Sequence, residues 1–162
     1  MTVVFSKFPK NLDEFKAMPF ADMKTPENTC AMFLCAVNLF ANNKSEGTEA
    51  MNILRGPRPM LPYDVQFLTD RLRGKKYLPM AYFKGARPDN NYKPDEPVTL
   101  EVIPDKRPQD IEEGYIRVFL ETAGADSPRP VKLRRKGDMW CLWEYSSVLS
   151  GIRIPKEEDP WA

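Results

Sequence analysis

Histidine is absent from the 162 residues, and cysteine occurs only three times. The first absence removes the commonest general base near neutral pH and a leading metal ligand. It also excludes Ser-His and Cys-His nucleophile pairs. Cys30 and Cys35 lie five apart in an apolar stretch that reads as helix, so they point to different sides, which disfavours a disulfide. With Cys141 they read as reduced, buried thiols, and so as those of a cytoplasmic protein. Glycine is sparse, with eight in all. Gly114, Gly124, Gly137 and Gly151 are dispersed, and none opens a helix as a phosphate-binding loop requires. Neither sign of charge is in excess: 24 Lys and Arg against 23 Asp and Glu leave +1. This argues against nucleic acid as a partner, which needs a basic surplus or stripe. The one local surplus is Lys132, Arg134, Arg135 and Lys136, with Glu121, Asp126 and Asp138 nearby in sequence. The longest apolar run, Cys30–Val37, is far short of a membrane span. Met1–Lys10 lacks the continuous apolar region of a secretory signal.

What is present reads as helices first and strands second, in one domain spanning 1–162. Residues 1–24 form an arm with one short helix, Leu12–Met18, capped by Asn11 and ended by Pro19. The helical part spans 25–85. Thr25 caps its strongest helix, with Pro26 at the favoured first position and Glu27 in the first turn. That helix runs to Asn42 and is apolar nearly all round, so it belongs at the centre, covered on several sides. Ser45 opens a third helix that Gly56-Pro57 stops, and Pro62 opens a fourth that ends at Gly74. Tyr77–Phe83 holds one more helical turn. Residues 86–97, rich in Pro, Asp and Asn, read as a surface loop.

An antiparallel sheet of about four strands follows over 97–150, and a tail over 151–162. Val98, Leu100 and Val102 alternate with polar residues; so do Ile116, Val118 and Leu120, and Val131 and Leu133. Lys136-Gly137-Asp138 is a hairpin turn leading into Met139–Tyr145. Helices segregated before consecutive strands imply an α+β fold, with the helix Pro26–Asn42 covering the sheet.

No constellation supplies a catalytic site, a metal site or a cofactor site. Carboxylates, tyrosines, lysines and thiols are the remaining acid–base groups. Asp110, Glu112 and Glu113 precede a strand but match no calcium loop. Arginine precedes proline at Arg58, Arg87, Arg107 and Arg129, where the backbone is held extended. Arg58, in the stiff corner Gly56-Pro57-Arg58-Pro59, is the best placed of these to capture a carboxylate or phosphate. Trp140 and Trp143 are three apart, so they lie on opposite faces of one strand, and something must cover the outer one. A tail, a second subunit or a ligand would do so. Two readings follow. In the first, the chain is a non-enzymatic binding or protein-interaction domain, with a homodimer through the outer sheet face as one arrangement. In the second, a cone-shaped sheet encloses a pocket for a small molecule, an anion among the options, as a binding protein or as an enzyme using carboxylate and tyrosine chemistry. Tyr115, Glu121, Glu144 and Tyr145 then supply polar groups, Arg58 or Arg117 the anion clamp, and Trp143 an aromatic wall.

The corner Leu54-Arg55-Gly56-Pro57-Arg58-Pro59, the run Arg107–Tyr115, Gly124–Pro130, Trp143–Ser147 and the ending Glu158–Ala162 resemble a family of uncharacterised bacterial proteins. That family is a domain of unknown function found mostly in anaerobic Gram-positive gut bacteria. The resemblance extends from about residue 20 to the end and implies a bacterial cytosolic protein with no catalytic residues to carry over. The order of elements is also similar to the nuclear-transport-factor-2-like cone, in which a curved sheet wraps a long helix. The helices between 44 and 84 depart from its simplest form.

Overall fold

A strand with no local signature opens the chain. The computed structural model describes residues 1–162. Strand β1 (Thr2–Phe5) is followed by helices α1 (Leu12–Lys16), α2 (Pro26–Asn42), α3 (Lys44–Arg55) and α4 (Pro62–Leu72). Strands β2 (Val98–Pro104), β3 (Tyr115–Leu120), β4 (Arg129–Lys136) and β5 (Met139–Glu144) complete the set. The sheet has the order β1-β2-β3-β4-β5 with every neighbouring pair antiparallel. The fold is α+β, as expected, with five strands rather than about four. The unforeseen strand is β1, whose partner β2 lies more than ninety residues away in sequence. Val3 and Phe5 face inward opposite Leu100 and Val98, while Val4 stays 47 % exposed. Phe5 meets Phe8, Phe20 and Phe83 edge-on, so an aromatic cluster pins this edge of the sheet to the helical layer.

The helix boundaries follow from their caps. Asn11 and Thr25 accept from the backbone N–H groups of Glu14 and Asn28, satisfying donors that the first turn leaves free. Asn43 does the same for Glu46, so α3 starts one residue before Ser45. Helix α2 carries eleven buried residues and is enclosed by α3, α4 and the sheet. Each large apolar side chain contributes roughly 1.5–3 kcal/mol on burial. The cap, worth about 1 kcal/mol, sets where the helix begins rather than whether it forms. Thr29 Oγ1 donates to the Trp140 carbonyl at 2.7 Å, and the Trp140 N–H donates to the Met23 carbonyl, which ties the start of α2 to β5.

The inner face of the sheet is filled. Leu100, Val102, Val118, Leu120, Val131, Leu133 and Leu142 are all buried in one core with α2. That packing occupies the place where a cone-shaped sheet would hold a ligand, and none of the candidate carboxylates points into it. The loop 86–97 is less superficial than its composition suggests. Tyr92 is buried, stacks on Tyr77 at 5.2 Å and donates to the Arg153 carbonyl.

One irregularity in the β4–β5 pairing decides the outer face. Lys136, Arg135, Arg134 and Leu133 pair in step with Met139, Trp140, Cys141 and Leu142. Lys132 then pairs with Glu144, leaving Trp143 as an extra residue. Strict alternation would turn Glu144 inward and Tyr145 outward. The bulge reverses both. Glu144 is exposed, and Tyr145 is buried against Phe33 at 5.0 Å.

Candidate functional site

Alternation from the inward Leu142 places Trp143 on the outer face, and cations gather round it. Arg58 Cζ lies 4.4 Å from the ring centroid and Arg134 Cζ 4.9 Å. Tyr115, on β3, meets the same indole edge-to-face at 5.5 Å. Arg134 is also 5.2 Å from the Tyr115 ring, and Lys132 Nζ 4.9 Å. Cation–π contacts of this kind contribute roughly 0.5–1 kcal/mol when exposed and more when desolvated. Their consequence here is orientation: Arg134 is held by two rings and donates no hydrogen bond to the protein.

Arg58 is positioned from below by the corner that carries it. Arg55, at the end of α3, is buried. Its Nε donates to the Arg58 carbonyl at 3.0 Å, Nη1 to the Tyr145 hydroxyl at 2.8 Å, and Nη2 pairs with Asp64 at 3.2 Å. The Met60 N–H donates to Asn52 Oδ1, fastening the far side of the corner. Gly56 is needed at the bend for two reasons. Its φ is +65°, and a Cβ there would stand 2.8 Å from Cys141 Sγ. Held in this way, Arg58 donates through Nη2 to the carbonyls of Leu142 (3.2 Å) and Trp143 (2.7 Å). Burial and the like charge of Arg55 push the Arg58 guanidinium below its ordinary pKa.

The result is a pocket of about 270 Å³ lined by Arg55, Arg58, Arg134, Arg135, Lys136 and Trp143, among others, with no carboxylate in its wall. Arg55 is paired with Asp64, whereas Arg58, Arg134, Arg135 and Lys136 form no ion pair. Cys141 lies in the same wall but is buried, and that burial raises its thiol pKa. The thiol is thus held protonated and covered, without the thiolate that nucleophilic chemistry requires.

The predicted site residues divide accordingly. Arg58, Tyr115 and Trp143 come together here. Tyr145 belongs to the core, where burial raises its pKa and its hydroxyl accepts from Arg55 and meets Met60 Sδ. Arg117 is committed to Asp105 at 3.0 Å rather than free to clamp an anion. Glu121 is exposed beside a separate, larger depression of about 530 Å³ that also holds Glu101, Asp126, Lys84 and Arg87. Its mixed charges select no particular ligand. Glu144 faces solvent next to Arg58 and forms no ion pair, since Lys132 instead reaches Glu112 at 2.9 Å.

Arg134 and Lys136 of the basic cluster read in the sequence are therefore part of the site, Asp138 stays beside them in the hairpin turn, and the other two acidic neighbours lie elsewhere. Asp126 pairs with Arg153, and Glu121 lines the other depression. The findable signal was register. Counting back from the Gly137 hairpin puts Arg134 and Lys136 on the face opposite to Val131 and Leu133, level with Cys141 and Met139. Arg55 carried no such signal, because its burial depends on contacts with α4 and Tyr145.

Fold and site together define an α+β protein bearing a basic, aromatic-walled pocket on the outer face of its sheet. The chain belongs to the family described as domain of unknown function DUF6935, whose model matches residues 7–156. No curated protein and no solved structure matches it. No helix is long and apolar enough to cross a membrane.

Proposed function

We propose that the protein is a non-enzymatic binding domain that takes an anionic ligand in the pocket between the Gly56–Pro59 corner and the β4–β5 hairpin. The observation that carries this reading is Arg134. Two aromatic rings orient its guanidinium, no carboxylate neutralises it and none of its donors is engaged within the protein. Such a group is preorganised for bidentate capture of a carboxylate or phosphate. Three buried cysteines without a disulfide support a reducing, cytosolic setting. Trp143 is covered by Arg58, Arg134 and Tyr115 of its own chain, so this residue calls for no second subunit.

Isothermal titration with inorganic phosphate and with citrate tests the reading. Binding is expected, and it weakens as salt rises. Arg134→Ala is expected to lower affinity at least about tenfold, since charge-assisted hydrogen bonds contribute about 1.5–3 kcal/mol. Arg129→Ala, outside the pocket, leaves affinity unchanged. No heat from either anion, or equal loss in the two variants, overturns the proposal.

A further inference from the structure

We infer that the ligand of this pocket presents two adjacent phosphate groups, as in an inorganic diphosphate or the terminal diphosphate of a larger molecule. The inference rests on the anion-site reading and adds the chemical class. Charge balance is its first ground. Arg58, Arg134 and Lys136 are three cations without an ion-pair partner, and they share one wall. One phosphate brings a charge of about −1.5 to −2 near neutral pH, which leaves at least one of these charges uncompensated. Two phosphates close the balance.

The layout of the cations is the second ground. Arg58 and Arg134 converge on the Trp143 ring from the corner and from β4. Lys136 shares the face of Arg134 two residues along the strand, about 7 Å away at the backbone, and its ammonium makes no hydrogen bond to the protein. Arg135 stands outside this layout: it faces the other side of β4, where its guanidinium lies 6.0 Å from the Trp140 ring centroid and Nε donates to the Gly137 carbonyl. One anionic centre therefore fits between Arg58 and Arg134, and a second toward Lys136.

Size is the third ground. A volume of about 270 Å³ is below the roughly 300–1,000 Å³ of pockets that enclose drug-sized ligands. The Trp143 ring is engaged by cations, so it offers no free stacking platform to a nucleobase. A nucleoside diphosphate would be held by its phosphates alone, and a nucleic-acid strand would lose the base stacking such sites depend on.

Titration of the full chain with orthophosphate, pyrophosphate, ADP and a short oligothymidylate, at one fixed salt concentration, tests this. Pyrophosphate is expected to bind at least tenfold more tightly than orthophosphate, with ADP within a few-fold of pyrophosphate and the oligonucleotide weaker than both. Lys136→Ala, an exposed position, is expected to remove most of the pyrophosphate advantage while leaving orthophosphate affinity nearly unchanged. Equal affinity for orthophosphate and pyrophosphate overturns the two-phosphate inference and leaves the anion site standing. So does a Lys136→Ala variant that keeps the full advantage. Tighter binding of ADP by more than tenfold, or of the oligonucleotide, replaces it with a nucleoside or strand site. If none of the four binds, the anion site itself falls.

Discussion

Arg55 and Tyr145 show how a buried polar pair can serve a surface site without touching the ligand. Arg55 donates from each of its three nitrogens, to the Arg58 carbonyl, the Tyr145 hydroxyl and Asp64. Breaking a buried ion pair costs about 3–5 kcal/mol. Asp64 keeps some solvent and also accepts from the Leu61 N–H, so Arg55→Ala is expected near the lower end, about 3 kcal/mol. Tyr145→Phe removes only the hydroxyl from Arg55 and should cost about 1–2 kcal/mol. Urea unfolding with an unchanged m-value would read both. The two variants also separate structure from site. Arg55→Ala releases the corner that aims Arg58 and is expected to weaken phosphate binding, whereas Tyr145→Phe is not. Equal binding losses would mean that the corner depends on the core as a whole rather than on the arginine.

Among the elements, the crossing of α2 and α3 is the most restrictive contact. A Cβ on Gly47 would lie 2.1 Å from Phe40 Cα, which is backbone of α2 and cannot swing aside. Glycine within a helix costs up to about 1 kcal/mol relative to alanine, so on propensity alone Gly47→Ala would stabilise. Overpacking costs typically 1–3 kcal/mol and more where backbone must move, so the steric effect wins and Gly47→Ala is expected to lower stability by at least about 2 kcal/mol. Gly137→Ala is the comparison. Its φ is +62° with nothing within 4 Å of an added Cβ, so only the left-handed conformation is penalised, by roughly 1–2 kcal/mol. Thermal unfolding of the two variants should place Gly47→Ala below Gly137→Ala; the reverse order would show that α2 and α3 can separate without loss. The β5 bulge acts at the same scale. By inserting Trp143 it exposes Glu144 and buries Tyr145, and an uncompensated carboxylate in the core is avoided.

At the scale of the whole molecule, buried acidic hydrogens set a limit at alkaline pH. Burial raises the pKa of the Cys35 thiol to about 12, and it raises Cys30 and Cys141 as well. The Tyr92 phenol rises to about 12, and Tyr77, Tyr82 and Tyr145 are raised too, each mainly by burial. A group whose folded pKa exceeds its unfolded value adds stability that is complete below the unfolded pKa and disappears as pH rises through the folded one. Stability should therefore hold to about pH 8, fall from about pH 8.5, where unfolded thiols ionise, and continue to fall toward pH 12 as unfolded tyrosines follow. The urea midpoint should drop between pH 8.5 and 11, with the thiols reacting with Ellman's reagent only on unfolding. A midpoint flat across that range would refute this. Much of the architecture is written in local sequence. Thr25-Pro26 starts α2, its all-round apolar composition places it at the centre, two-residue alternation marks β2 to β4, and the Gly137 turn marks β5, because caps, periodicity and turns act over a few residues. Three features arise from long-range packing instead: β1 pairing with β2, the one-residue bulge at Trp143, and the burial of Arg55. The candidate site depends on the last two. Arg58, Trp143 and the basic run 134–136 are visible as separate signals in the sequence, but their meeting in one pocket rests on register and on a buried hydrogen-bond network, which no short window of residues encodes.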